Sequence, residues 1–216
     1  MRLNKYLADR NFATRRGADK LIEEGKVLVN GKRATLGMQV SETDKMEVKG
    51  AAKPESYKYF IYHKPREQTT EELIKDGLFP VGRLDKESEG LMILTNDGRV
   101  TSHLLDPKLN HEKEYEVTTR KNIGASFKRI LEAGVEIEGY RTKPAKVELV
   151  DENTFKIILT EGKKHQIRRM CAALGNEVLT LTRTRILNLK LGALKPGTKK
   201  EIPTPDLNKF LTKLRF

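Results

Sequence analysis

Three kinds of side chain in this 216-residue sequence are of a type that does chemistry: one carboxylate, one phenol and a run of cations. Asp85 ends Val81-Gly82-Arg83-Leu84-Asp85, a glycine-containing turn. An aspartate there is most often a turn or capping residue, and in the minority of cases a catalytic carboxylate. Tyr115 sits in a strand-like stretch, where an aromatic ordinarily fills a core. Arg168 and Arg169 open a helical pattern and, about 100° apart around it, cannot face the same way. A guanidinium beside a partly buried carboxylate keeps it ionised, while the plainer reading of Arg168 is a phosphate contact. Cys171 is the sole cysteine, which excludes a disulfide framework and any zinc site built on two or more cysteines. It lies among apolar neighbours and is expected in the core. His63, His103 and His111 lack metal-ligand spacing, and His165 is given no proton-transfer role. Neither a Gly-x-x-x-x-Gly-Lys-Ser/Thr loop nor a dinucleotide fingerprint is present, so no metal and no cofactor are expected.

The charge has a location. There are 42 Lys+Arg against 30 Asp+Glu, a net +12. Residues 1–33 hold nine basic and four acidic residues, and residues 160–200 hold ten and two. The body between is nearly neutral. A surplus serving solubility alone would be spread evenly, so two separate clusters favour contacts with a polyanion, most simply nucleic acid. Charged residues make up 33% and hydrophobic ones 37%, against roughly 25% charged in ordinary globular chains, which still leaves enough apolar residues for a core. No apolar run approaches the roughly 18 residues of a membrane span. Met1-Arg2-Leu3-Asn4-Lys5 leads into amphipathic sequence without a secretory apolar core, so a cytoplasmic protein acting as a monomer is expected.

The elements that must carry these residues fall into two groups. Residues 1–50 read as a small module. Leu3 and Leu7 share one face of a short helix. Thr14 is placed to cap a second helix with Ala18, Leu21 and Ile22 inward, and Gly25 to end it. Residues 27–29 read as a strand and Asn30-Gly31 as a tight hairpin turn, with further short strands over 33–48. Residues 51–56 read as a linker. From residue 57 to 216 a larger domain follows, with strands over 57–62, 91–95, 115–119, 135–137, 146–150 and 155–160. Helices are expected over 99–105, 126–133, 165–174 and 206–214, the last with Thr204 as N-cap and Pro205 in its first position. Strands outnumber helices and do not alternate with them, which predicts an α+β fold with a mixed, mainly antiparallel sheet.

Several motifs keep the order and spacing of known families. Arg2-Leu3-Asn4-Lys5-Tyr6-Leu7, Thr14-Arg15-Arg16 with Ala18-Asp19, and Gly25-Lys26-Val27-Leu28-Val29-Asn30-Gly31-Lys32 resemble the αL RNA-binding module named after small-subunit ribosomal protein S-four. This resemblance spans roughly residues 2–49 and implies RNA contacts from Arg2, Asn4, Lys5, Arg15, Arg16, Lys20, Lys26, Asn30 and Lys32. A helix N-terminus adds partial positive charge to such contacts. Gly17 stands where members often carry an acidic residue able to complete a capping box, at a cost of about 1 kcal/mol of helix stability.

Gly82-Arg83-Leu84-Asp85, Ser88, Gly90-Leu91 and Leu94-Thr95-Asn96-Asp97-Gly98 resemble the signature of RNA pseudouridine synthases. Glu112-Lys113-Glu114-Tyr115 resembles their basic–x–Tyr segment, and Gly162-Lys163-Lys164-His165-Gln166-Ile167-Arg168 their late Gly-basic-x-His-Gln-Ile-Arg segment. The leading αL module and Arg168-Arg169-Met170-Cys171 are similar to the branch that modifies ribosomal RNA, the large-subunit type above all, some of whose members also act on a tRNA anticodon arm. The resemblance implies that Asp85 is the catalytic carboxylate, that Arg168 pairs with it, and that Tyr115 stacks on the base. The target uridine is expected to be flipped out of its stack. Arg83, Lys163, Lys164, Arg169, Arg183 and Arg185 are the expected RNA contacts of this domain. A non-catalytic RNA-binding or ribosome-assembly factor on the same scaffold is the alternative. Only residues 66–81 separate Lys64-Pro65 from Gly82, fewer than in relatives, which points to a shortened substrate loop.

Overall fold

The computed structural model describes residues 1–10, 12–13, 15–49 and 56–215, with the side chain of Arg16 left aside. The expected cap at Thr14 and the expected linker over 51–56, apart from Ser56, lie outside the described residues. The chain forms two compact units, Met1–Lys58 with Thr95–Ser102, and Tyr59–Leu94 with His103–Phe216.

In the first unit, α1 (Leu3–Asp9) and α2 (Arg15–Glu23) pack on a three-stranded antiparallel sheet of β1 (Val27–Val29), β2 (Lys32–Arg33) and β3 (Met46–Val48), ordered β2-β1-β3. Of the residues the helical spacing turned inward, Leu3, Leu7, Ala18 and Ile22 are buried and Leu21 is partly buried, and Val27 of β1 joins them. Burying a leucine or isoleucine in this way contributes about 1.5–3 kcal/mol, so a handful of such residues sustains a small module. Gly25 adopts φ +69°, the left-handed geometry that ends α2, and the β1–β2 hairpin turns through Asn30 and Gly31 with φ of 51° and 77°.

The second unit is built on a nine-stranded mixed sheet. Its strands are β4 (Tyr59–Lys64), β5 (Phe79–Val81), β6 (Glu89–Thr95), β7 (Lys113–Thr119), and, beyond a separate two-stranded hairpin of β8 (Glu136–Ile137) and β9 (Tyr140–Arg141), β10 (Lys146–Leu149), β11 (Thr154–Leu159), β12 (Val178–Ile186), β13 (Leu189–Lys190) and β14 (Lys199–Glu201). The main path runs β10-β11-β7-β12-β6-β4-β14, with β5 beside β6 and β13 beside β12. The helices of this unit are α4 (Ala125–Ala133), α5 (Gln166–Ala173) and α6 (Thr204–Lys213), while most of α3 (Gly98–Leu104) belongs to the first unit. Leu131 of α4 and Ile167, Met170 and Cys171 of α5 meet Val117, Val147, Phe155, Ile157 and Leu181 of the sheet in one core. A second core gathers Tyr62, Leu73, Leu78, Leu84, Met92 and Leu94, and Tyr115 packs against both.

Four differences from expectation are informative. β4 continues through His63 and Lys64 and stops only at Pro65, which has no N–H to offer the ladder. α6 begins at the expected cap residue, Thr204, which is already helical, so that Pro203 takes the N-cap position. Residues 66–81 hold a single 3-10 turn, Glu71–Leu73, followed by β5. Most important, β12 is the longest strand and the middle of the sheet, antiparallel to β7 and parallel to β6. It runs through Arg183 and Arg185, which the charge pattern had assigned to an RNA-facing stretch.

Candidate active site

Asp85 lies in the turn from β5 to β6, and that turn is gripped at almost every peptide. The Thr70 hydroxyl donates to Leu84 O at 3.1 Å and accepts from Leu84 N–H at 3.3 Å. The Arg183 guanidinium, reaching across from β12, donates to Arg83 O at 3.3 Å and to Leu91 O at 2.7 Å, and its other arm meets the Met92 sulfur. The Lys64 ammonium is fully buried and donates to Ser88 O (2.7 Å), Pro65 O (2.9 Å) and Lys86 O (3.3 Å). Burial holds its pKa below the ordinary lysine value, opposed by the attraction of Asp85 and Glu67. Within the turn, Ser88 N–H closes onto Asp85 O at 3.0 Å. Gly90 lets β6 approach β12: at its φ of +114° a Cβ would stand 2.4 Å from Arg183 O. The backbone of the turn is therefore rigid, while the Asp85 side chain stays about one-third exposed.

The side chain that faces the carboxylate is His165, whose Nε2 is 3.4 Å from Asp85 Oδ1. Arg168, expected to pair with Asp85, is instead placed behind the turn. Its guanidinium donates to Val178 O at 3.0 Å and to Glu87 O and Ser88 Oγ at 3.4 Å. The cause is register on the helix: α5 starts at Gln166, its left-handed N-cap residue His165 points toward the turn, and Arg168, two residues into the helix, is rotated away.

Tyr115 stands on β7 directly opposite Arg183 of β12, so the two side chains share a face of the sheet, as does Lys113 two residues earlier. Lys113 is the basic residue of the basic–x–Tyr segment, to which the sequence assigned no role of its own. Burial, with the Arg183 charge adding to it, pushes its amine down to about 8.

The expected RNA contacts divide. In the first unit Arg2, Arg15, Lys20, Lys26 and Lys32 are exposed and Lys5 is half-buried. Lys26 pairs with Glu24 at 2.7 Å, and Lys20 is 3.9 Å from the same carboxylate. Asn4 donates to Asp19 at 2.9 Å, and the Asn30 amide ties the β1–β2 turn to the chain entering β3, donating to Asp44 and accepting from Lys45 N–H. The side chain of Arg16 lies outside those described. In the second unit Lys163 and Lys164 are exposed, and Arg83 is exposed with a 3.5 Å approach to Glu71. Three arginines do not present free charge. Arg183 is 3% exposed and held by backbone carbonyls. Arg185 pairs with Glu114 at 3.1 Å and Glu112 at 3.2 Å. Arg169 pairs with Glu138. Each sits where the fold brings an acidic or carbonyl partner to it, which a linear charge count does not register.

Among the described residues, no cluster of three or more His, Cys, Asp or Glu is arranged to hold a metal ion, and no helix is long and apolar enough to cross a membrane. Burial raises the Cys171 thiol to about 12, so it is a core residue and not a nucleophile.

The chain belongs to the RNA pseudouridylate synthase family of RNA-modifying isomerases, whose sequence pattern matches residues 35–173. An S4 domain matches residues 1–45. The chain is 40% identical to the dual-specificity RNA pseudouridine synthase RluF of Escherichia coli (strain K12), over 96% of this chain and 77% of that protein. It is 34% identical to the ribosomal large subunit pseudouridine synthase B of Bacillus subtilis (strain 168), over 97% and 95% of the two chains. A crystal structure of a pseudouridylate synthase superposes with a TM-score of 0.73 at 29% identity, covering 97% of this chain and 99% of the other.

Proposed function

We propose that this enzyme converts a uridine of large-subunit (23S) ribosomal RNA to pseudouridine, with a tRNA anticodon arm as a second substrate, and that Asp85 is its catalytic carboxylate. The dual specificity named for the RluF relative and the large-subunit target named for the Bacillus synthase support this choice of RNA. The reaction breaks the bond from N1 of the base to C1′ of the ribose and forms one from C5 to C1′. The proton on C5 leaves and N1 gains one, so atoms and electrons balance with no oxidant or energy donor.

The observation that carries the reading is the Asp85 turn. Its backbone is fixed by Thr70, Arg183 and Lys64, yet its carboxylate is left open to solvent. That combination suits a group that must meet a flipped nucleotide at a set position. Tyr115, between the two cores, is the aromatic offered to the base. Lys163 and Lys164 at the entry to α5, with Arg83 on the turn, supply cations for the flanking phosphates. The αL module docks the RNA, and the protein works in the cytoplasm as a monomer.

Mapping pseudouridines in rRNA and tRNA from a deletion strain, and again after complementation with Asp85→Asn, tests the reading. The expected result is loss of one or two sites on deletion and no recovery with the variant. Full rescue by Asp85→Asn would instead identify a non-catalytic RNA-binding factor.

A further inference from the structure

We propose that His165 is a positioning residue for Asp85: its imidazole holds Oδ1 of the carboxylate so that the other oxygen, Oδ2, is presented to the ribose. This rests on the reading of Asp85 as the catalytic carboxylate.

The geometry begins with the 3.4 Å approach of His165 Nε2 to Asp85 Oδ1. His165 adopts φ 51°, a left-handed conformation that non-glycine residues rarely take. Such strain persists where the surroundings over-determine it, and here they do. Gln166, 4% exposed, donates to Glu161 Oε1 at 2.7 Å and accepts from Lys163 N–H at 2.9 Å. Glu161, 8% exposed, also accepts from Lys143 N–H at 3.0 Å and from the Tyr140 hydroxyl. The hydroxyl bond to that buried carboxylate raises the Tyr140 pKa, as expected where the phenol must stay the donor.

This buried network closes the 161–166 loop around its own peptides and ties it to the β9 strand. The imidazole is therefore delivered from a rigid platform and not from a mobile surface loop. At that distance the imidazole stands against Oδ1 and limits rotation of the carboxylate. The general cost of a displaced reacting group is large: about 1 Å of misplacement can remove roughly 100-fold in rate.

The test is single-turnover conversion of an rRNA fragment by purified full-length His165→Ala and His165→Gln, beside Asp85→Asn, with KM determined for each. His165→Ala is expected to lose about 10- to 100-fold in kcat at a KM within about threefold of wild type. His165→Gln keeps an N–H donor and is expected to recover most of that loss. Thermal melts should coincide, because the side chain is half exposed and supports no core. Wild-type kcat in His165→Ala overturns the proposal, and so does a loss confined to KM, which would make His165 an RNA contact. If Asp85→Asn is itself active, the underlying reading fails. If Asp85→Asn is dead and His165→Ala is unaffected, only the positioning role fails.

Discussion

Asp85 and the residues around it divide the labour between holding a backbone and presenting a charge. Substituting Asp85 by Asn preserves shape and removes the negative charge. The expected outcome is loss of at least about 1,000-fold in turnover, with RNA affinity within threefold of wild type, read by single-turnover assay and filter binding. Lys113 carries a different consequence. Its folded pKa of about 8 lies below the ordinary value of 10.5, so between those pH values the unfolded chain binds more protons than the folded one. Stability from this group therefore rises with pH through that window and is lowest below pH 8. Lys113→Met removes the cost of a buried ammonium. Its melting temperature should exceed that of wild type most at neutral pH, by an amount equivalent to about 1–3 kcal/mol, and the gap should close toward pH 10. Subtracting the two melting curves across pH 6.5–10 cancels the remaining titrations.

At the level of elements, the Asp85 turn depends on two close approaches that are not themselves chemical. Gly90→Ala would place a methyl 2.4 Å from the Arg183 carbonyl of β12, at a φ of +114°. The contact is to backbone, so β6 and β12 must separate, and the expected cost is about 3 kcal/mol or more, measured as a fall in the urea midpoint. Thr70→Val is subtler. It keeps the shape but leaves buried Leu84 without either hydroxyl bond, costing about 1–3 kcal/mol. Because Leu84 adjoins Asp85, kcat should fall further than stability alone accounts for, with KM little changed. The 66–81 segment, short as it is, thus holds the turn from below through Thr70 and frames it with the Glu71–Leu73 turn and β5.

Across the whole molecule, the +12 charge is smaller in effect than it looks. Arg169, Arg183 and Arg185 are engaged by Glu138, carbonyl groups and the Glu112–Glu114 pair. Of the expected RNA contacts, those that stay exposed are Arg2, Arg15, Lys20, Lys26 and Lys32 in the first unit and Lys163, Lys164 and Arg83 in the second. RNA affinity should therefore fall steeply with salt. Arg15→Gln with Lys20→Gln should flatten the slope of log K against log salt by about 1–2, at roughly 0.7–0.9 per lost phosphate contact. Arg185→Gln should leave that slope unchanged and lower stability instead. Binding titrations between 50 and 300 mM salt distinguish the two classes, and equal slopes for both would refute the division.

Local regularity determined much of this protein on its own. The 3.6-residue spacing of Leu3, Leu7, Ala18 and Ile22 predicts the first two helices, and Gly25 and Asn30-Gly31 end the elements where expected, because these signals act over a few residues. The spacing of the Asp85, Tyr115 and Arg168 segments likewise pointed to the family. Sequence signals for β12 were present too, in the alternation from Val178 to Ile186, but two arginines in it read as surface charge. Only the tertiary structure decided that Arg183 lies inside, because its partners are carbonyls of Arg83 and Leu91 about a hundred residues away. The same holds for Lys64, caged by three carbonyls, and for the exchange of Arg168 for His165 beside Asp85. Charge is a property of one residue, whereas burial and pairing belong to the neighbours that the fold brings to it.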